Sequence, residues 1–418
     1  MWPLSLLCLS LLSSAGGDPH VRVDSLDDQP AATKVEVISS LTTTTNFAVV
    51  DRGFIRFFLI DEIIVGARFR APTTELDDFS DELAFAAWTL QVSALFATCT
   101  DYYPAYKAIE GPTREAVIVP CRQSLQALCL GGGAGSVAMY LDRRNVTVDM
   151  VELHPEMVDL AERHGGLHLQ NGGRIIIGDA LEILAKGRER RKKYDIIIHD
   201  LFDGTNSVEL LAPKNMELLL RDWLDPQGML VFNLLGSAVQ GHAAHAMTDF
   251  TFQSLRSKFN HVRCYRDAPL DMHPHRVGNV ACYATNNERG VVFTLPDTIA
   301  RAPQDEFPTS WNIREFQKWI MFQADEGYEG DDGEGDASGQ EKHETNECVV
   351  VEYEGACIHW APKRVSAPRW TTLHPPSDVI QEEGRKQIKL SMEAHAKELL
   401  GADLGKILRT QNYDGTAL

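Results

Sequence analysis

The 418-residue chain is short of basic residues. It has 40 Lys and Arg against 59 Asp and Glu, a formal net charge of −19. Because binding to nucleic-acid phosphates depends on clustered basic side chains, this balance argues against RNA or DNA as a partner. The one strongly basic run, Arg188 to Lys193, precedes a predicted buried strand, and we interpret it as a solvated loop.

Long apolar runs are also scarce. An apolar stretch from Leu4 to Leu12 is followed by small residues, which is typical of a cleaved secretory signal peptide, although no Lys or Arg precedes it. We therefore expect a protein of the secretory pathway or a secreted protein; an uncleaved N-terminus would make it cytoplasmic. The stretch is too short to span a bilayer, and no other run is long enough, so no membrane partner is expected.

Cysteine is sparse and lacks the spacing of a metal site. The chain has eight cysteines, with no CxxC pair and no matching His spacing, so no metal is expected. Cys129, Cys264 and Cys282 fall in predicted core strands, where a small buried thiol is the usual interpretation. Cys348 and Cys357, which flank a short ribbon, form the one disulfide pair that the sequence suggests.

Composition and periodicity divide the chain into successive segments. Short alternating apolar runs near the N-terminus predict antiparallel hairpins, an almost wholly apolar stretch after Glu82 predicts a buried connecting helix, and ten acids with five glycines predict a disordered linker. The predicted segments are a signal peptide (1–17), a β-hairpin domain (33–72), a connecting helix and linker (78–120), a cofactor-binding domain (121–295), a connecting segment (296–324), an acidic disordered linker (325–347) and a C-terminal extension with an amphipathic helix (348–418).

The segment 121–295 alternates apolar strand patterns with amphipathic helix patterns. Such alternation predicts an α/β fold, a mostly parallel sheet with helices on both faces. The last two strands are joined by a loop, so the final strand can run antiparallel. The fold class that we predict is a Rossmann-like seven-stranded sheet, preceded by a small antiparallel β domain and followed by an irregular C-terminal extension.

A glycine-rich turn follows the first strand of this domain. A turn without side chains lets backbone approach a ligand closely at the start of the next helix. A tight turn alone would also explain these glycines. They indicate a ligand site only together with the acidic residues at the strand ends that follow. The cofactor-binding glycines are Gly131, Gly132, Gly133 and Gly135.

Acidic residues end the next three strands. Glu152 stands where a carboxylate can accept both hydroxyls of a ribose. Asp179, with Ala180 after it, stands where a carboxylate can accept from the amine of an adenine, and Asp200 faces the reactive end of an adenosyl ligand. Since ligands of such sheets bind at the carboxyl ends of the strands, these residues predict an adenosyl-nucleotide site.

The details favour a sulfonium over a dinucleotide. The turn reads GGGAG, whereas the pyrophosphate of a dinucleotide is bound by GxGxxG. The acidic GDA turn after the third strand also suits S-adenosyl-L-methionine better.

Four segments carry a resemblance to a known family. VELHPEMVDLA, IIIGDALEIL, YDIIIHDLFD and PQGMLVFNL resemble, in order and spacing, the spermidine synthases and their relatives among class I S-adenosylmethionine-dependent transferases. The resemblance covers about residues 35–285. It implies S-adenosyl-L-methionine or decarboxylated S-adenosylmethionine as the cofactor. It also implies that Asp200 and Asp203 match the Asp-x-x-Asp motif, in which the first carboxylate is the proposed base and the second helps to hold an amine.

The chain departs from aminopropyltransferases at two places. The Tyr-His-Glu cluster of those enzymes has no counterpart in DELAFAAWTLQVSALF, and Gly204 is followed by Thr205 and Asn206 in place of their Pro-Ala. A diamine whose second ammonium lacks a carboxylate would bind poorly. We therefore favour a methyltransferase acting on a small-molecule amine or a protein.

Two other functions stay open. One is aminopropyl transfer to a polyamine, and the other is a non-catalytic adenosyl-nucleotide-binding protein. A homodimer is compatible with each of these functions.

Overall fold

The computed structural model of the chain describes most of the predicted cofactor-binding domain and parts of its flanks. The described residues are 32–39, 45–53, 55–70, 79–83, 86–104, 106–110, 114–186, 193–202, 209–237, 243–267, 277–294, 320–323, 352–353, 356–357, 377–401 and 404. The predicted signal peptide and acidic linker lie outside them.

The N-terminal segment forms a five-stranded antiparallel sheet in the order β1-β2-β3-β4-β5. Alternation of apolar residues buries both of its faces: Val49 and Phe58 pack toward the following domain, and Val50 and Phe57 pack on the opposite face. The strands are β1 Thr33–Ser39, β2 Asn46–Arg52, β3 Ile55–Ile60, β4 Ile63–Arg70 and β5 Phe79–Leu83.

The prediction of one connecting helix in 78–120 is wrong, because the structure has a strand and two short helices there. The first residues of this segment form β5, which pairs with β4, and the apolar stretch forms two short helices, α1 Ala86–Val92 and α2 Ala94–Thr98. A turn separates the two helices at Ser93, whose hydroxyl donates to the carbonyl of Thr89 at 2.7 Å. A hairpin of β6 Tyr106–Glu110 and β7 Arg114–Ile118 follows.

The central sheet has the order β10-β9-β8-β11-β12-β14-β13-β15. β8 to β12 are parallel, and β14 runs antiparallel between β12 and β13, as predicted. β15 is an eighth strand, in the segment that the sequence predicts as a connection, because it pairs with the open edge of β13. The strands are β8 Gln126–Leu130, β9 Thr147–Glu152, β10 Arg174–Ile177, β11 Tyr194–His199, β12 Leu224–Gly236, β13 His261–Arg266, β14 Gly278–Thr285 and β15 Ile320–Gln323.

Helices cover both faces of this sheet, so the predicted α/β fold class is confirmed. α1 to α4 pack on one face, and α5, α6 and α7 pack on the other. α6 continues as one π-helical turn, Leu219–Trp223. The helices are α3 Ser136–Asp142, α4 Pro155–Gly165, α5 Ala180–Lys186, α6 Pro213–Leu218 and α7 Ala243–Arg256.

The predicted C-terminal helix is α8 Asp378–Leu400, and it belongs to the same compact unit as both sheets. Leu399 and Leu400 pack on the outer face of the N-terminal sheet, where Arg52 donates to the Leu399 carbonyl. Ile388 packs against α7. Among the described helices, none combines the length and the apolar character needed to cross a bilayer.

Within residues 325–374, the structure describes a two-stranded ribbon of β16 Glu352–Tyr353 and β17 Ala356–Cys357.

The structure corrects the cysteine assignments. Cys264 and Cys282, predicted as thiols, face each other on paired strands and form a disulfide. A second disulfide, which the sequence analysis missed, joins Cys99 to Cys121 over 22 residues. Cys129 is a buried thiol as predicted, and burial raises its pKa to about 12. The suggested partner of Cys357, Cys348, lies outside the described residues.

Two buried arginines join the N-terminal sheet to α4. Arg56 pairs with Asp51 at 2.7 Å and donates to the His164 carbonyl at 3.0 Å, while Arg68 donates to the Gly165 carbonyl. These bonds satisfy carbonyls at the C-terminus of α4, where positive charge is favourable.

Replacing Arg56 should destabilise the protein far more than replacing an exposed arginine of the same interface. Arg56→Met leaves the buried Asp51 carboxylate without this ion pair, which costs about 3–5 kcal/mol. The control is Arg163→Met, because Arg163 pairs with Glu36 at 2.5 Å but is 42% exposed; we expect a loss below about 1 kcal/mol. Denaturant unfolding measures both, and equal losses would contradict this assignment.

Candidate active site

The glycine-rich turn between β8 and α3 is held on two sides by close backbone contacts. Gly131 has φ +88°, and a Cβ there would collide with the main-chain oxygen of Asp200. Gly133 has φ +48°, and a Cβ there would collide with the carbonyl of Val65 in β4. Glycine is required at both positions because other residues rarely adopt these conformations and would not fit. The turn therefore contacts both the end of β11 and the N-terminal sheet.

Glu152, at the end of β9, binds this turn. Its Oε2 accepts from the backbone N–H groups of Gly132 at 3.1 Å and Gly133 at 2.9 Å, and its Oε1 accepts from His154 N–H at 2.9 Å. The side chain is buried. A carboxylate has about four acceptor positions, so about one remains for a ligand. The structure thus assigns Glu152 a role in holding the loop, and its ribose role stays a prediction.

Asp179 caps α5 at the end of β10. Its Oδ1 accepts from the N–H groups of Leu181 at 2.8 Å and Glu182 at 3.0 Å, as expected of an N-cap carboxylate. The residue is exposed, and Ala180 beside it is buried at the start of the helix. Because both bonds go to Oδ1, Oδ2 is available to a ligand that donates a hydrogen bond.

Asp200 lies at the end of β11, in contact with the glycine-rich turn. Its Oδ2 accepts from Gln91 Nε2 at 2.8 Å, and its Oδ1 accepts from Asn233 Nδ2 at 2.7 Å. Burial raises the pKa of the Asp200 carboxyl above its ordinary value, although the hydrogen bonds from Asn233 and Gln91 lower it. A desolvated carboxylate of this kind can accept a proton more readily than an exposed one.

Gln91 and Asn233 are site residues that the sequence analysis missed. An ionised carboxylate only accepts hydrogen bonds, so both amide nitrogens must face Asp200. Gln91 Oε1 and Asn233 Oδ1 are then buried with no donor among the described residues. Such oxygens cost free energy unless a ligand or water donates to them. Each amide is a polar residue within an apolar element, a signal that could have identified it.

His199 precedes Asp200 and lies on the opposite face of the sheet, as its strand position predicts. It is fully buried, stacks on Phe232 with ring centroids 3.9 Å apart, and burial lowers its pKa to about 3. It is therefore neutral and directed away from Asp200.

The second predicted catalytic residue, Asp203, lies outside the described residues. Within the described part of the chain, no three His, Cys, Asp or Glu side chains are grouped so as to bind a metal ion.

The architecture defines a class of fold. Five parallel strands, an antiparallel strand inserted between β12 and β13, a glycine-rich turn after β8 and a preceding antiparallel sheet form the Rossmann-like α/β fold that the sequence predicts. The predicted resemblance to the spermidine synthases and their relatives is confirmed as a likeness of fold.

Comparisons with known proteins give particular relatives. The chain is 26% identical over 119 residues to a polyamine aminopropyltransferase from Vibrio vulnificus, a match that covers 28% of this chain and 40% of that relative. No protein-family model matches the chain.

The similar solved structures include the following two. One is a probable spermidine synthase from Corynebacterium glutamicum (18% identity, TM-score 0.44, 62% of this chain and 81% of that chain). The other is human methyltransferase-like protein 13 with SAH (16% identity, TM-score 0.36, 55% and 88%). At these identities the likeness concerns the fold alone.

Replacing Glu152 by glutamine should weaken cofactor binding. The amide nitrogen of glutamine cannot accept, so the variant loses acceptors for the loop or for a ribose, at a cost of about 1.5–3 kcal/mol. Calorimetry with S-adenosylhomocysteine should show a Kd raised by about 10- to 100-fold. Glu156→Gln, on the first turn of α4, is the control. Unchanged affinity in Glu152→Gln would remove this residue from the cofactor site.

Proposed function

We propose that this chain transfers a group from an adenosyl sulfonium to an amine, with Asp200 as the base. The observation that carries this proposal is the desolvated Asp200 carboxylate, bound by two amides whose own oxygens have no donor among the described residues. An amine would supply the N–H donors that these oxygens and the carboxylate accept.

The residues around the turn suit an adenosyl ligand. The glycine-rich turn offers backbone without side chains, Glu152 retains about one acceptor position, and Asp179 has Oδ2 available. We assign Glu152 to a ribose hydroxyl and Asp179, with Ala180, to the adenine. Asp200 follows β11, two strands from Glu152 across β8, and we place the reactive carbon beside it.

For this reaction the protein has to align the amine with the activated carbon and accept one proton. When bound, a sulfonium supplies a carbon already activated for attack. The amine nitrogen forms the new bond to this carbon while the carbon–sulfur bond breaks and its electron pair stays on sulfur. The amine would bind as an ammonium with three hydrogens. Asp200 accepts one of them as a proton, which frees the lone pair for the attack, and Gln91 Oε1 and Asn233 Oδ1 accept hydrogen bonds from the remaining two.

Methyl transfer from S-adenosyl-L-methionine is our first candidate reaction, because the Tyr-His-Glu cluster of aminopropyltransferases has no counterpart here. Aminopropyl transfer from decarboxylated S-adenosylmethionine is the second. Two observations favour aminopropyl transfer. The first is that the Vibrio vulnificus relative is named a polyamine aminopropyltransferase. The second is that the described hydrogen-bond donors to Glu152, Asp179 and Asp200 are amides and backbone N–H groups, with no Lys or Arg among them to pair with the carboxylate of S-adenosyl-L-methionine.

We also propose a location in the secretory pathway. The two disulfides support it, because disulfides persist in oxidising compartments. Expression with and without residues 1–17, followed by fractionation, tests the proposal.

A direct assay should identify the sulfonium compound from which the group is transferred. Purified chain is incubated with S-adenosyl-L-methionine or its decarboxylated form, each with putrescine or an N-terminal peptide amine, and products are identified by mass spectrometry. We expect a mass gain of one methyl group on the amine. Spermidine from putrescine would establish the second candidate instead. Binding of S-adenosylhomocysteine without any transfer would leave a non-catalytic nucleotide-binding protein.

Asp200→Asn should abolish turnover and spare cofactor binding. Asparagine keeps the shape but cannot accept the proton, so we expect kcat to fall about 100-fold or more. In the unmodified protein, the base must be ionised, so kcat/KM should fall as the pH drops through the raised pKa of Asp200.

The matched control is Asp225→Asn, because Asp225 caps a turn by accepting from Gln227 N–H at 2.9 Å and asparagine preserves such a cap. Full activity in Asp200→Asn would show that Asp200 is only structural.

A further inference from the structure

One Asn-x-Ser/Thr sequence lies between α3 and β9. Asn145, Val146 and Thr147 match this pattern, which is the acceptor signal for N-linked glycosylation. No other asparagine of the chain is followed two residues later by serine or threonine. In a protein of the secretory pathway such a pattern can be modified where the asparagine is accessible, so the surroundings of Asn145 decide its meaning.

The structure places Asn145 in an exposed turn. α3 ends at Asp142, β9 begins at Thr147, and Asn145 N–H donates to the Asp142 carbonyl at 3.1 Å within the turn between them. Asn145 has a φ of +66°, a left-handed conformation that asparagine tolerates better than most residues. The residue is exposed, whereas Val146 beside it is fully buried. Val146 therefore anchors the turn, and the asparagine remains accessible.

The side-chain amide of Asn145 retains a hydrogen for modification. Its Nδ2 donates to the Cys121 carbonyl at 2.9 Å, and a primary amide has two N–H hydrogens. Glycosylation replaces one of these hydrogens by a sugar carbon, so the hydrogen bond to Cys121 can persist with the other. The modification is therefore compatible with the folded turn.

The turn also lies beside a disulfide. Cys121, which accepts from Asn145, is bonded to Cys99, and Cys121 N–H donates to the Arg144 carbonyl at 3.0 Å. Disulfides form and persist in the lumen of the secretory pathway, and N-linked glycans are added in the same lumen. A disulfide and an accessible acceptor asparagine, two independent features, thus point to one compartment.

A glycan at Asn145 leaves the candidate active site free. Thr147 is the first residue of β9, and Glu152, which binds the glycine-rich turn, is the last. At about 3.3 Å per residue, the strand separates these two residues by about 17 Å. The cofactor residues lie at the carboxyl ends of the parallel strands, whereas Asn145 lies at the amino ends, so a bulky sugar there does not obstruct a ligand.

We propose that Asn145 carries an N-linked glycan. The proposal rests on the proposed location in the secretory pathway and does not depend on which group the active site transfers. The co-reactant is an oligosaccharide linked to a lipid pyrophosphate. Asn145 Nδ2 forms a bond to the anomeric carbon of the sugar while the bond from this carbon to the pyrophosphate oxygen breaks. The electron pair of the broken bond leaves with the pyrophosphate, and one amide proton passes to a base of the transferring enzyme.

The experiment uses the full chain, expressed in cultured animal cells. Electrophoretic mobility is compared before and after treatment with peptide-N-glycosidase F, which removes the glycan and converts its asparagine to aspartate. We expect a single shift in the unmodified protein. Mass spectrometry of its peptides should show aspartate at position 145 after treatment and not in the untreated sample, which controls for spontaneous deamidation.

Two substitutions at Thr147 form a matched pair, because both leave Asn145 and its turn in place. Thr147→Val removes the hydroxyl that the acceptor signal requires and should abolish the shift. Thr147→Ser keeps a hydroxyl and should retain the shift. Asn145→Asp should also abolish it, because a carboxylate has no amide nitrogen to accept the sugar.

Two outcomes would overturn the proposal. One is a shift that persists in Thr147→Val and Asn145→Asp, which would place the glycan on another residue. The other is an unmodified protein without a glycan. Fractionation of the same cells distinguishes the causes of this second outcome. A chain without glycan in the lumen or the medium refutes the role of Asn145 alone, whereas a chain without glycan in the cytosol refutes the proposed location as well.

Discussion

The close packing of one glycine-rich turn determines the geometry of the whole site. Gly131 lies against the main chain of Asp200, and Gly133 lies against β4 of the N-terminal sheet, with no space for side chains at either contact. Glu152, at the end of β9, accepts hydrogen bonds from two N–H groups of the turn. Three elements far apart in sequence are thereby brought within contact distance, and a larger residue at Gly131 would displace the proposed base from the cofactor turn.

Burial of Asp200 affects the basicity of its carboxylate. Asp200 is half-buried, and its described hydrogen-bond partners are amides that do not neutralise its charge. Burial raises the pKa of its carboxyl, whereas the hydrogen bonds from Asn233 and Gln91 lower it. The same amides have oxygens that need donors. Among the described residues nothing donates to these oxygens, so a ligand or water would have to supply the hydrogen bonds.

The C-terminal helix connects stability to the site. α8 covers the outer face of the N-terminal sheet through Leu399 and Leu400, and it borders the strand ends beside Asp200 through Ile388 and Met392. Because the N-terminal sheet contacts the glycine-rich turn, one helix supports both the strand ends beside Asp200 and the sheet that holds the turn. The helix that its sequence pattern predicts as an amphipathic extension thus belongs to the same compact unit as both sheets.

Local patterns in the sequence determined much of this protein. Alternating strands and helices predicted the sheet and its antiparallel strand, and the strand ends predicted Glu152, Asp179 and Asp200, because carboxyl ends of parallel strands share one edge. The tertiary structure alone decided that Gln91 and Asn233 contact Asp200, that β5 and β15 complete the sheet edges, and that Cys264 bonds to its cross-strand neighbour. These features depend on contacts between distant segments, and a periodicity of two or 3.6 residues reports only which face of an element is buried, not which partner covers it.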